Sequence, residues 1–146
     1  MAITQGSGSF SVGRDCSVVL MGPFGRVDIP NVMGFDCKQE TAAIKVDRLD
    51  GVQMNAELPK GWTGSFDVER GGSSVDDLFS NIEAAWYLSG SIINSTIYQY
   101  IQEPNGSTST YQFDNCSLKL DDSGAWKGDA SVKQKISFMA NRRRRV

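Results

Sequence analysis

The stretch from Ser73 to Gly90, SSVDDLFSNIEAAWYLSG, is the one segment of this 146-residue chain that reads convincingly as a helix. Val75, Leu78, Phe79, Ile82 and Trp86 recur at helical spacing and define one apolar face. Ser73 ahead of Asp76, or Ser74 ahead of Asp77, caps the first turn, where the helix dipole favours negative charge. Gly90 supplies the stop. About fifteen residues, 74–88, make a rod of roughly 22 Å, enough to cover one open end or face of a small barrel. So apolar a face points to packing against a sheet, not to a cofactor or a membrane.

Strands are expected on both sides of it. Residues 1–9 are polar and rich in Gly and Ser, an arm or a strand lent to a neighbour. Phe10 to Met21 reads as a strand, Gly22-Pro23-Phe24-Gly25 as a turn, and short strands follow around Arg26–Ile29 and Met33–Cys37. Thr41 to Leu58 is a hairpin whose register can be argued. A three-residue loop Leu49-Asp50-Gly51, with Gly51 left-handed, sets residue 46 opposite 54 and 44 opposite 56. This gathers every apolar side chain on one face, whereas a two-residue Asp50-Gly51 turn would split them. The greasy side either lies back on the body as core or projects towards a partner subunit.

Further along, GWTGSFDVER (61–70) alternates with Trp62, Gly64, Phe66 and Val68 inward. Ser91 to Gln102 and Thr108 to Phe113 flank a Pro104-Asn105-Gly106 turn. The parity change between Phe113 and Leu118 predicts a bulge near Asn115. From Trp126 to Ala140 one parity is apolar except at Gln134, which predicts a single long closing strand. The expected fold is therefore mainly β, a small barrel or sandwich with one flanking helix, in one domain covering 1–146.

Composition agrees with a globular domain. Apolar residues make up 40% and charged ones 22%, and no run approaches the ~18 apolar residues of a membrane span. The N-terminus has no basic then apolar leader, so synthesis in the cytoplasm is expected. The formal net charge is −2, but Arg142 to Arg145 contribute four positive charges at one end. Without them the body holds 11 basic against 17 acidic residues, a balance that does not retain DNA. The arginine run, 142–146 with Val146, reads as a solvated basic tail that meets an acidic protein surface or binds nucleic acid locally.

Chemistry is mostly excluded. The chain has no histidine, the commonest general base and neutral metal ligand. Metalloprotease, P-loop and dinucleotide patterns are missing. Asp121-Asp122 and Asp76-Asp77 are explained by a turn and a helix start. No catalytic residue, cofactor or metal is expected. Cys16, Cys37 and Cys116 lack CxxC spacing, which argues against zinc. They are either buried reduced thiols or, after leaving the cytoplasm, disulfide formers, and three thiols would then leave one free or bonded to another chain.

The order of four blocks carries a resemblance. GWTGSFDVER, VDDLFSNIEAAWYLSG, IYQYIQEPNGSTSTYQF and DDSGAWKGDASVKQKISFMANRR resemble the tail tube proteins of long-tailed bacteriophages, most of all the contractile-tail group. The match covers roughly 61–143 well and the N-terminal third loosely. The three cysteines and the arginine end depart from the family pattern. The resemblance implies the fold shared with the hemolysin-coregulated tube protein of type VI secretion. It also implies hexameric rings stacked into a hollow tube, with sheath, tape-measure, baseplate and tail-terminator proteins as partners. Double-stranded DNA would pass transiently through a virion component assembled in the host cytoplasm, without a membrane anchor. By position, the hairpin resembles the family's inter-ring loop, so Ile44, Val46, Leu49, Val52 and Met54 are the expected inter-ring contact. Arg142, Arg143, Arg144 and Arg145 are placed outside the lumen, towards sheath or neighbouring ring. Two other readings remain: a type VI secretion tube, or a monomeric carbohydrate-binding module using Trp62, Trp126 and Tyr111.

Overall fold

The computed structural model describes residues 12–13, 16–27, 29 and 32–146. The expected arm at 1–9 lies outside the described residues, as do 10–11 and 14–15 of the expected first strand, while Val12 and Gly13 are described and are not strand; β1 begins at Cys16. Among the described residues, eight strands and one helix follow in the order β1 (Cys16–Gly22), β2 (Gly25–Val27), β3 (Val32–Asp47), β4 (Gln53–Glu69), α1 (Ser74–Ser89), β5 (Ser95–Gln102), β6 (Thr108–Asp122), β7 (Lys133–Ala140) and β8 (Arg142–Arg145). Every pairing is antiparallel, in the spatial order β2-β1-β5-β6-β7-β4-β3, with β8 on β6. The architecture is mainly β with one helix at its flank, as the sequence pattern predicts.

β6 joins the two halves of the sheet. Its first part pairs with β5 and its second with β7. The change falls at the expected bulge: Ser95 faces Cys116 but Ile97 faces Phe113, and Asn115 takes a left-handed φ of 54°. The extra residue re-aims the strand, so Phe113 and Leu118 both face inward despite opposite parity. Between the halves sits an aromatic cluster. Phe113 meets Phe138 at 5.3 Å and Phe35 at 6.0 Å, and Phe35 stacks with Phe66 and Phe138. Leu20, Ile97, Val68 and Ile136 complete the core. Each of the large buried side chains contributes about 1.5–3 kcal/mol, and each aromatic pair about 0.5–1.5 kcal/mol more.

Several expectations are corrected. The third strand and the first arm of the hairpin are one strand, β3. Likewise the second arm and GWTGSFDVER are one strand, β4, running through Pro59. Proline is tolerated there because this part of β4 pairs with β3 alone, leaving its other edge free. The closing strand does not begin at Trp126: residues 123–132 are turn and loop, with Gly124 at φ 113° and Trp126 exposed. Alternation without cross-strand partners does not make a strand. At its other end this strand is longer than expected. Ser117 faces Met139 and Asp114 faces Arg142, so β8 continues β7 along β6 in unbroken register.

The helix begins and ends where expected, but only part of its stripe is core. Val75 and Leu78 are buried, Phe79 and Ile82 are partly covered, and Trp86 is exposed. Ser73 does not cap a backbone amide; its hydroxyl donates to Asp77 Oδ2 at 3.0 Å. Asp76 instead accepts from Arg70 Nε at 2.9 Å and Gln134 Nε2 at 2.8 Å. Gly90, at φ 69°, closes the last turn by donating to the Trp86 carbonyl.

Candidate functional site: assembly surfaces

Beyond the core, β3 and β4 continue as a two-stranded arm. Val46 pairs with Met54, Ile44 with Ala56 and Ala42 with Leu58, the register of the three-residue loop. Gly51 sits at φ 85°, Arg48 N donates to the Val52 carbonyl at 2.9 Å, and Asp50 Oδ1 accepts from Val52 N. Ile44, Val46, Val52, Met54 and Leu58 are exposed, and Leu49 at the tip is fully so.

Which way this face points follows from the pleat. On β3 the inward residues are Phe35 and Cys37, so the even positions Asp36, Lys38 and Glu40 face out. Ala42, Ile44 and Val46 continue that outward side. On β4 the register shifts between Glu40 and Thr41, leaving Lys60 as the extra residue, and this turns Leu58, Ala56 and Met54 outward while Trp62 points in. The apolar side of the arm therefore looks away from the chain's own core. It is not core folded back.

A second apolar surface is the end of α1. Trp86, Tyr87 and Leu88 are 54%, 77% and 89% exposed, and Ile92 just beyond is also exposed. Three consecutive large side chains, stepped by about 100° each, spread apolar surface over more than half of this turn, with Ser89 on the remaining side.

The arginine run is not a free tail. Arg142 to Arg145 form β8, and strand alternation divides them. Arg143 turns in: its guanidinium lies 3.8 Å from the Tyr111 ring centroid and 5.0 Å from Trp62, and it donates to Gln99 Oε1 at 3.3 Å. Stacking of this kind contributes about 0.5–2 kcal/mol. Arg145 donates to Ser109 Oγ. On the opposite side Arg144 grips Asp114 through two hydrogen bonds, at 2.6 and 3.2 Å. That grip holds the Asp114 carboxyl below its usual range and raises Arg144. Arg142 is exposed. Nothing in the composition signals this division; the parity of Phe113 and Tyr111, which face Arg143 and Arg145, is the clue that was there to use.

The outer face of β3, β4, β7 and β6 forms an open groove of about 600 Å³ lined by Lys38, Thr63, Ser65, Lys119, Ser137 and Met139 among others. Its polar groups serve one another, as Ser65 donates to Asp36 at 2.8 Å and Thr63 to Glu40 at 3.1 Å. The three cysteines are free thiols placed separately on β1, β3 and β6. Among the described residues no three His, Cys, Asp or Glu side chains gather as a metal site, and no helix is long and apolar enough to cross a membrane. Trp62 and Tyr111 hold Arg143, while Trp126 stands apart with Arg70 at 5.2 Å, so the three do not form one stacking platform.

Solved structures share this fold. A chain in the sheath/tube terminator of the PVC extracellular contractile injection system, in its extended state, superposes with a TM-score of 0.60. The overlap covers 88% of this chain and 92% of that one, at 14% identity. The two chains share a fold. A chain of the anti-feeding prophage cap, its tube terminating cap, gives 0.59 at 14% identity, covering 88% and 87%. A chain of the anti-feeding prophage baseplate gives 0.56 at 8% identity, covering 94% and 96%. No protein-family model matches the chain, and no curated protein sequence matches it. At these identities the likeness concerns architecture.

Proposed function

We propose that this chain is the structural subunit of a hollow tail tube in a contractile-tailed phage, forming hexameric rings that stack into the conduit for genome delivery and the scaffold for the sheath. The observation that carries this reading is the arm: a two-stranded projection whose apolar side faces away from its own core. A lone hairpin is marginal in water and exposed apolar surface seeks cover, so the arm belongs in another subunit. The shared fold with chains of injection system terminators and baseplates supports the same class. An acidic body suits passage of DNA, because a negative channel repels phosphate. The role is structural, not catalytic, with sheath, tape-measure, baseplate and terminator proteins as partners. Contact with the sheath or the next ring falls to the exposed Arg142 and Arg145 on β8.

Electron microscopy of the purified protein tests it. Rods or stacked rings with a central channel are expected, and Val46→Asp or Met54→Asp gives a folded subunit that no longer stacks. A wild-type chain that stays monomeric at every concentration and with tail partners supplied overturns the proposal. The injection system likeness favours one second reading, a secreted protein-delivery tube. Capsid and tape-measure genes beside this one would exclude it.

A further inference from the structure

We propose that the last turn of α1 is the seat on which the β3–β4 arm of a second copy docks; the inference rests on the tube reading and names the two surfaces of its stacking contact. The argument begins with the helix end. A helix apolar all round is a buried helix. Yet Trp86, Tyr87 and Leu88 stand in solvent, while the same helix buries Val75 and Leu78 in its first turns. In sequence, the charge nearest to this turn is Glu83.

The arm is its match in size and shape. Two strands about 4.7–4.9 Å apart make a ribbon about 10 Å across, close to the ~10–12 Å diameter of a helix. On the ribbon's apolar side, Ala42 and Ala56 are small positions beside Leu58 and Ile44, which leaves hollows for large side chains. Each surface offers apolar area on the order of 500 Å² from side chains half to fully exposed. One junction covers the side chains on the facing side of the helix end, and a ring of such junctions multiplies the buried area.

Within one chain the two surfaces leave each other bare. The arm departs from one end of β4's body segment and the helix is joined beyond the other end, past Gly71-Gly72, and the side chains of both surfaces stay exposed. Different patches on one chain that complete each other make a heterologous, head-to-tail contact, which propagates where a two-fold contact would stop.

Complementation of two variants provides the test. Val46→Asp spoils the arm and leaves the helix end intact; Leu88→Asp does the reverse, and both positions are exposed, so each variant folds with wild-type circular dichroism. Each alone is expected to give unstacked subunits or single rings by electron microscopy and analytical ultracentrifugation. Mixed, they form one junction between the intact arm of one and the intact helix end of the other, and so yield pairs of units that grow no further. If Leu88→Asp and Tyr87→Asp both stack like wild type while Val46→Asp does not, the seat lies elsewhere and the tube reading survives. A wild-type chain that never stacks removes both.

Discussion

Gln134 Nε2 donates to Asp76 Oδ1 at 2.8 Å, tying the start of β7 to the first turn of α1. The amide is almost fully buried, and it also donates to the Ser123 carbonyl at 3.2 Å. Asp76 accepts from Arg70 as well, so one carboxylate collects β7, the helix and the link that joins β4 to the helix. Removing Gln134 leaves a partly buried carboxylate and a carbonyl short of a donor. Gln134→Ala is expected to cost about 1–3 kcal/mol, lowering Tm by several degrees for a domain of this size. Lys135→Ala, one residue on and exposed, should stay within about 0.5 kcal/mol. Equal melting of the two variants would remove this link from the account.

Gly64 faces inward between Trp62 and Phe66, where a Cβ would collide with the Asp36 carbonyl and stand 2.7 Å from the Phe138 ring. The obstacle is backbone on one side and a packed aromatic on the other, neither free to give. Gly64→Ala is expected to destabilise by about 1–3 kcal/mol, while Gly72→Ala, with open space around its Cβ, leaves chemical denaturation midpoints unchanged. A tolerated Gly64→Ala would mean β3 and β4 are less closely held than described.

Much of this was legible in the chain itself. The loop at Leu49-Asp50-Gly51 could be derived because only one register puts Ile44, Val46, Met54 and Leu58 on a common side, and the Asn115 bulge because Phe113 and Leu118 differ in parity. What alternation could not supply was partnership. Trp126 to Val132 alternates as well as β7 does but has no strand beside it, whereas Gln134, the exception in the pattern, is buried because Asp76 awaits it. The Trp86 stripe is sound helix, yet whether a face is covered depends on what lies across from it, and that is tertiary. The arginines misled most. Four like charges read as solvated, but Tyr111, Trp62 and Gln99 take one of them in and Asp114 takes another. The apolar direction of the arm needed the Lys60 irregularity, which local sequence does not announce.

Burial separates the thiols in reactivity. Cys116 is fully enclosed, its Sγ directed at the Phe113 carbonyl at 3.2 Å, and loss of solvent pushes its pKa up to about 12. Burial also raises Cys37, against the opposing charge of Arg143. Since the thiolate is the reactive form, Cys116 is expected to resist iodoacetamide at pH 8 until the chain is unfolded. Peptide mass spectrometry checks the order of labelling. Modification of Cys116 in the folded chain at the rate of a free thiol would contradict its placement.

The grip of Arg144 on Asp114 makes the docking of β8 depend on acidity. Hydrogen bonding from the guanidinium holds the folded carboxyl below the ~3.9 of an unfolded aspartate. A group with a depressed folded pKa contributes stability above its unfolded value and loses it as pH falls through the folded one. Asp114→Asn removes the charge at every pH. At pH 7 the variant should melt below wild type, and amide exchange should quicken at Asn141, whose N–H donates to the residue 114 carbonyl, and at Val146. As pH is lowered from about 5 towards 2, the wild-type carboxyl is protonated and the two melting curves should converge. The pair is partly open to solvent, so the gap is small and shrinks further in high salt. A gap that persists unchanged at low pH would mean that Asp114→Asn perturbs packing at the bulge, and that the ion pair does not hold the strand.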